Sequence, residues 1–466
     1  YKIVSVKIDK TGSYMSSFFE DLKKNEERLQ EIASSVVKYA KENGADECEV
    51  SVGGVKGLSV SSRDMEVENI EYNKDNGLDV TVYLNKKRGN ASTTDLSADA
   101  LHDCVKSAIS IAGYSNEDPC AGVADKDLIC TEFKELDLVF ENDVDADLAT
   151  DFAISLEKGA KAKKANGIKK SDGASFDSTL YTGVIANSNG FCHARSQSSV
   201  SSSIVLLGES DNKMQRGSGY TIARELKDLY SKDQIVDEAI RKTLSKLNAK
   251  SVPTGKYNVI FSEGAAVSLW QIFAGAISGG ALYRRSSFLC DKLKEQIFPE
   301  YVTIHEDPFI KKSIGARCYD ADGVRVSAAD IIKKGVLQEY LLGTYSARKL
   351  NLKSNGHASG IHNWFISFGA DREYDFDALL NKAGEGIVIT DLMGQGVDMV
   401  SGNYSRGAAG YYFKDGKFVH AVDEITIAGN LKDMFMNMDA IGKDIDERYK
   451  IKTGSILIPN MTVSGQ

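Results

Sequence analysis

Proline is scarce in this chain, with five residues among 466 against 41 glycines. Proline fixes φ and removes a backbone donor, so its scarcity argues against Pro-rich linkers and for long regular elements joined by glycine turns. No run of eighteen apolar residues occurs, which excludes a hydrophobic membrane-spanning helix. Cys48, Cys104, Cys120, Cys130, Cys192, Cys290 and Cys318 are odd in number and include no CxxC pair. They read as reduced, packed thiols of a cytoplasmic protein, not as a disulfide framework or a zinc finger. The GxSxG elbow of hydrolases, the GxxxxGK[ST] phosphate loop and a strand-linked GxGxxG are all missing, and Gly394-Gln-Gly396 alone reads as a turn. Asp320-Ala-Asp-Gly323 lacks the later oxygen ligands of a calcium loop and reads as a hairpin turn. Lys and Arg are nowhere packed five or six together and the net charge is −9, so contact with phosphate backbones is disfavoured.

What is present is an ordinary soluble composition, 42% hydrophobic and 26% charged, in a chain too long for one core. Periodicity predicts a helix over Glu27–Asn43, closed by Gly44, and further helices from Ser97, over Asp145–Ala165 and over Leu226–Asn248. Short strands are expected at Glu47–Val52, Gly57–Ser61, Met65–Tyr72 and Leu78–Leu84, with Asn76-Gly77 as the hairpin turn. A Ser/Thr/Gly-rich antiparallel meander follows from Ile168 to Ala223, turning at Ser188-Asn-Gly190 and Asp211-Asn-Lys213. Its serine run, Ser196–Ser203, alternates with apolar residues and reads as a strand.

The C-terminal half begins with a strand, Lys256–Phe261, and a Gly/Ala-rich helix, Glu263–Gly279. Strands are then expected at Ile314–Tyr319, Val324–Val326, Gly335–Tyr345, Trp364–Phe368, Gly386–Thr390, Gly410–Phe413, Phe418–Val422 and Ser455–Val463. A short helix capped by Asn430 carries Leu431, Met434, Phe435 and Met438. Strand runs with clustered helices, lacking regular βαβ alternation, make the fold α+β. It divides into an N-terminal extension (1–26, with Met15 as the natural start), an N-terminal α/β domain with an antiparallel meander (27–248), and a C-terminal, mainly antiparallel β domain with packed helices (249–466).

Zinc peptidase chemistry needs two imidazoles converging on one ion, with a carboxylate to polarise the bound water. None of the six histidines is paired at a spacing of three or four. His357 and His362 are five apart, about 140° around a helix and on opposite faces of a strand. Gly360 between them favours a loop that could still fold both inward, so they are the fallback metal ligands, with a carboxylate such as Asp398. The run Gly402-Asn-Tyr-Ser-Arg-Gly407 reads as a small polar loop between strands. Either Asn403, Ser405 and Arg406 contact a peptide or partner through carboxylates or backbone carbonyls, or Arg406 is salt-bridged in a structural turn. Asn363, beside His362, joins the contact candidates.

Five segments, in order, resemble the TldD/PmbA family, and in detail its PmbA (TldE) branch. They are Tyr345-Ser-Ala-Arg-Lys-Leu350, Gly356-His-Ala-Ser-Gly-Ile-His-Asn-Trp364, Ser401-Gly-Asn-Tyr-Ser-Arg-Gly-Ala-Ala-Gly410, Glu424-Ile-Thr-Ile-Ala-Gly-Asn-Leu431 and Ile458-Pro-Asn-Met461. The resemblance implies a cytoplasmic metallopeptidase of two homologous chains, TldD and TldE, that trims peptides such as microcin-type antibiotics and antitoxins and was earlier labelled a modulator of DNA gyrase. It implies that the TldD chain holds zinc through a His-Glu-x-x-x-His helix and a late Cys. The corresponding helix here begins Glu263-Gly-Ala-Ala-Val-Ser-Leu-Trp-Gln-Ile-Phe273, and no Cys follows Cys318. The expectation is therefore a chain without catalytic residues or a metal cofactor of its own. It would pair with a TldD-like subunit that carries the zinc, or with itself when alone, and act on peptides without nucleic acid or membrane contact. The alternatives are an independent peptidase with an atypical metal site and a non-proteolytic binder of gyrase or its inhibitors.

Overall fold

The computed structural model describes residues 7–8, 14–15, 17–211 and 213–465. A two-stranded pair, β1 (Lys7–Ile8) and β2 (Tyr14–Met15), precedes helix α1 (Ser17–Glu42). The helix thus begins at Ser17 and not at Glu27, so part of the segment read as an extension is its first turns; residues 1–6, 9–13 and 16 of that segment lie outside the described residues. Its buried stripe, Leu29, Ala33, Val36 and Ala40, keeps the helical period and packs on the first sheet.

That sheet contains β3 (Glu47–Arg63), β4 (Glu66–Leu84), β5 (Lys87–Thr93), β6 (Ile168–Asn187), β7 (Cys192–Ser210) and β8 (Lys213–Ala223), ordered β5-β4-β3-β6-β7-β8 and antiparallel throughout. The short strands expected in the first half are two continuous ones. Their turn is Asp64-Met65, both at positive φ, with Arg63 opposite Glu66. Asn76-Gly77 instead lies inside β4, facing Gly54 and Gly53. A Cβ at Gly54 would come within 2.1 Å of the Asp75 carbonyl oxygen, so the glycines here serve close strand approach and not a turn.

Helices α2 (Ala98–Tyr114), α3 (Ala146–Ala162) and α4 (Lys232–Leu244) complete this half, with a 3-10 turn at Leu226–Asp228 ahead of α4. Ser231 and Gln234 form a reciprocal capping box, which sets the start of α4 later than the apolar pattern suggested. The serine run is a strand, as read from its alternation. Ser198 Oγ donates to the Arg224 carbonyl, and Ser202 Oγ donates to the Ser175 carbonyl, so these buried hydroxyls cost little.

In the second half, β9 (Gly255–Phe261) leads into α5 (Glu263–Ala276) and the short α6 (Gly279–Tyr283). β10 (Thr303–Glu306), β11 (Ala329–Lys333), β12 (Val336–Leu337), helix α7 (Thr344–Lys349) and β13 (Trp364–Ser367) come next. They are followed by β14 (Glu373–Tyr374), α8 (Phe376–Ala383), β15 (Glu385–Met393), β16 (Asn403–Lys414), β17 (Lys417–Asn430), α9 (Leu431–Met436), β18 (Ala440–Gly442), β19 (Ile451–Lys452) and β20 (Ile456–Ser464). β9 pairs parallel with β15 and antiparallel with β20, so β9, β15, β16, β17 and β20 close into a ring. A smaller sheet, β12-β11-β10-β13-β19, lies against it. A large core of Trp270, Phe273, Phe298, Trp364 and Phe435 joins α5 to both.

Three strand expectations fail here. Ile314–Tyr319 and Val324–Val326 make only single bridges, because the Asp320 carboxylate accepts the Asp322 and Val324 N–H groups and closes a compact turn. Gly335–Tyr345 is cut short by a turn at Lys334-Gly335, both at positive φ, and ends in α7.

The halves are joined by a buried ion-pair cluster. Arg448 bonds Glu238 on α4 at 2.9 Å and Asp446 at 2.7 Å. Burial opposes ionisation of Glu238, yet the Arg448 and Lys242 hydrogen bonds win and hold its carboxyl at about 2. Replacing Arg448→Met leaves Asp446 without a cation and Glu238 with Lys242 alone, so a loss of about 3 kcal/mol is expected in urea denaturation at pH 7. Because the folded-state value lies below the ordinary 4.5, the contribution of Glu238 is complete above pH 4.5 and falls away as pH drops toward 2. A pH series of wild type against Arg448→Met measures it.

Candidate functional site

Helix α5 has two chemically different faces. Ser262 caps it by accepting the Ala265 N–H, and Ala266, Leu269, Trp270 and Phe273 enter the core. Ser268, Gln271, Ile272 and Gly275, spaced three, one and three apart, form the other face and floor a cleft of about 600 Å³. Met399, Val400 and Arg406 stand among its walls. A catalytic zinc needs three donors from imidazole, thiolate or carboxylate. The cleft offers hydroxyls, one carboxamide and a guanidinium. This donor set does not fit zinc, and the Arg406 charge would repel a dication.

The expected loop around Arg406 is a strand. Gly402 takes φ +81°, and from Asn403 onward β16 pairs with β17: Asn403 with Asn430, Ser405 with Ala428, Arg406 with Ile427. On its other side the Ser405 N–H donates to the Gly396 carbonyl and the Asp398 N–H to the Asn403 carbonyl. Two-sided pairing explains why small polar residues here do not make a loop. Asn403 and Ser405 remain exposed, while Arg406 is half-buried, forms no ion pair among the described residues, and has an Nε without a partner. Asn363 is elsewhere. It is fully buried, its amide donates to the Asp307 carbonyl at 2.8 Å, and its oxygen accepts from Ser313. Such an Asn locks a loop and cannot touch a docked peptide.

His357 and His362 do converge. Gly356 and Gly360 adopt positive φ, which lets the loop between α7 and β13 fold both rings inward, 5.0 Å apart between centroids. The carboxylate beside them is Glu306 on β10, not Asp398. Asp398 is exposed and accepts from the Ser401 hydroxyl and the Val400 N–H. Glu306 Oε1 lies 2.6 Å from His357 Nε2, and Oε2 accepts the His362 N–H and the Trp364 indole N–H, each at 2.8 Å. Its burial opposes charge, but His357 and His362 hold its carboxyl below the usual range. Sequence reasoning missed Glu306, although it shares parity with the apolar Ile304 on one strand and so had to point inward.

Among the described residues, Glu306, His357 and His362 are the one set of three or more ligand-type side chains close enough to share an ion. The set is sealed: Glu306 and His362 are 0% exposed and His357 7%. Burial holds the His362 imidazole down to about 3, despite Glu306, and the charges of Arg317 and Lys450 add to that effect. Neither ring nitrogen of His362 has a partner.

Comparison with known proteins yields a consistent set of relatives. Residues 254–465 match the PmbA/TldA metallopeptidase C-terminal domain, 48–112 match PmbA/TldA metallopeptidase domain 1, and 141–247 match the PmbA/TldA metallopeptidase central domain. The Escherichia coli O157:H7 protein named Metalloprotease PmbA is 43% identical over 439 residues, 94% of this chain and 96% of that one. A Bacteroides thetaiotaomicron protein described as a candidate modulator of DNA gyrase has a crystal structure similar at TM-score 0.86 and 25% identity, over 94% of this chain and 99% of its own. TldE from Thermococcus kodakarensis shares the fold, with TM-score 0.80 at 18% identity over 93% of this chain and 100% of its own.

Replacing Glu306→Ala leaves His357 and the Trp364 indole unpaired inside the core and is expected to cost about 3 kcal/mol or more, read by chemical denaturation. An ordinary histidine takes up its proton near 6.5, whereas folded His362 does so at about 3. The unfolded chain therefore binds the extra proton between these values. This part of the stability is complete above pH 6.5 and declines as pH falls toward 3; NMR titration of the His362 ring should show its midpoint below 4.

Proposed function

The chain belongs to the PmbA/TldD metallopeptidase family, and on that premise we propose that it is the PmbA/TldE-type subunit that carries no zinc. The observation that supports this reading is the cleft-lining face of α5, where Ser268, Gln271, Ile272 and Gly275 stand. The family resemblance places the metal-binding motif on this helix. With no donor for a dication there, the chain contributes shape and binding surface, and a TldD-like partner contributes the zinc and the hydrolysis. Arg406, half-buried and free of any ion pair among the described residues, would hold a peptide carboxylate or backbone carbonyl in the cleft. Peptides would add as strands to an open sheet edge, a mode that needs only backbone hydrogen bonds and shallow pockets. The candidate edges are β5 of the first sheet and β19 of the smaller one, because β12 already pairs with the segment around Gln296 and the Tyr220 backbone of β8 is taken up by Glu238 and Arg448.

Seven free cysteines agree with a reducing, cytoplasmic setting. No helix is long and apolar enough to cross a membrane. In the absence of the partner the chain would pair with itself.

A second reading, metal chemistry at Glu306, His357 and His362, has one observation in its favour: the convergence of three donors. Against it, the cluster admits neither solvent nor substrate, and Arg317 and Lys450 already place two positive charges beside it. Catalytic zinc keeps an open coordination position, which this packing denies. A gyrase-directed role rests only on the descriptions of two structural relatives, from Bacteroides thetaiotaomicron and Thermotoga maritima.

Co-expression with a TldD-type homologue tests the proposal. Unfolded peptides should be cleaved by the pair, with at least a hundredfold less cleavage by this chain alone, and elemental analysis of this chain alone should find less than about 0.1 zinc per molecule. Stoichiometric zinc lost in a His357→Ala, His362→Ala double variant, together with activity of the lone chain, would establish the second reading instead. Recovery of gyrase by the lone chain without a TldD homologue would favour the third.

A further inference from the structure

A second cleft, of about 540 Å³, lies where the outer strands of the first sheet meet the C-terminal half. Arg195 on β7, Arg224 just beyond β8, and Arg317 from the turn preceding Tyr319 all line it. In a protein of net charge −9 these three guanidiniums have no carboxylate partner: none forms an ion pair among the described residues, and the Nε of each is buried without a hydrogen bond. Their remaining contacts are neutral. Arg195 donates to the Gln197 side chain at 2.9 Å, and Arg224 donates to the Ser198 and Ser313 carbonyls at 3.0 and 3.3 Å. Arg224 is only 7% exposed.

The acids nearby are all committed. Glu447 pairs with Lys452 at 2.8 Å, Glu26 accepts from the Ser196 hydroxyl, and Glu306 is saturated by His357, His362 and Trp364. Asp320 is pushed up to about 7 by burial and by Asp322. Burial and the neighbouring Arg195 correspondingly press both Arg224 and Arg317 down to about 10. Buried unpaired charge is unfavourable and is normally neutralised by a partner. Here the partner is missing from the chain itself, and the charges face a cavity.

We infer that this cleft binds an oxyanion, held by Arg195, Arg224 and Arg317, and that the ligand is the carboxylate of a peptide bearing an apolar side chain. Guanidinium groups match carboxylates in paired hydrogen bonds. The apolar requirement comes from Ile310, Ile314 and Phe365, which line the same cleft and are 36%, 44% and 37% exposed. The volume also exceeds what a bare inorganic ion would fill. The inference is independent of the α5 cleft and of whether a zinc-bearing partner exists.

Isothermal titration calorimetry on the full chain tests it with three probes: N-acetyl-Ile-Phe as the free acid, its C-terminal amide, and inorganic phosphate. The acid should bind, the amide at least tenfold more weakly, and phosphate should displace the acid. Arg195→Gln and Arg317→Gln should each weaken acid binding tenfold or more, whereas Lys158→Gln, on the exposed face of α3, should leave it unchanged. A second readout covers variants that fold poorly: the acid should raise the wild-type Tm while sodium chloride of equal ionic strength does not, and Arg317→Met should raise the Tm of the unliganded protein by removing an uncompensated charge. Equal binding of acid and amide, or unaltered binding by folded Arg195→Gln and Arg317→Gln, would overturn the inference. Phosphate binding without acid binding would overturn the carboxylate assignment in favour of an inorganic oxyanion.

Discussion

One buried carboxylate organises the C-terminal half. Glu306 sits at the end of a short interior strand and gathers His357, the His362 backbone and the Trp364 indole onto its two oxygens. A buried carboxylate costs several kcal/mol unless its lone pairs are met, so the loop after α7 is obliged to close over it. That closure seats Trp364 in the core beside Phe273 and so ties the smaller sheet to α5. The same loop buries Asn363 and through it fixes the segment around Ser313. Arg224 reaches that segment by donating to the Ser313 carbonyl. A polar cluster at the centre thereby sets the relative position of α5 and of the arginine-lined cleft.

The two clefts differ in what they ask of a ligand. The one along α5 has a neutral floor and a single guanidinium, suited to a chain segment held mostly through its backbone. The one between the halves concentrates charge without counter-charge. The histidine cluster looks like catalytic machinery when only residue types are considered. Its geometry serves packing, because an imidazole held neutral down to about 3 and sealed from water neither shuttles protons near neutral pH nor reaches a substrate.

Local pattern was a good guide wherever a single period governed a segment. The stripe of α1, the alternation through Ser196–Ser203 and the Asn430 cap all follow from sequence neighbours alone. Glycine misled where its role is tertiary: Asn76-Gly77 has the composition of a tight turn, but Gly53 and Gly54 on the facing strand are what those residues answer to. The Gly402–Gly407 run misled for a related reason, since pairing on both sides turns a polar, glycine-flanked segment into strand.

Sequence by itself determined the α+β class, the order of helices α1 to α5, the family likeness carried by five segments, and the absence of a paired-histidine helix. These depend on residue type and spacing along the chain, which folding does not alter. Tertiary structure alone decided that His357 and His362 meet, that Glu306 is the carboxylate between them, and that Arg195, Arg224 and Arg317 share one cavity. Electrostatic and hydrogen-bonding partnerships act over a few ångströms of space, and residues far apart in the chain become neighbours only when the sheets close.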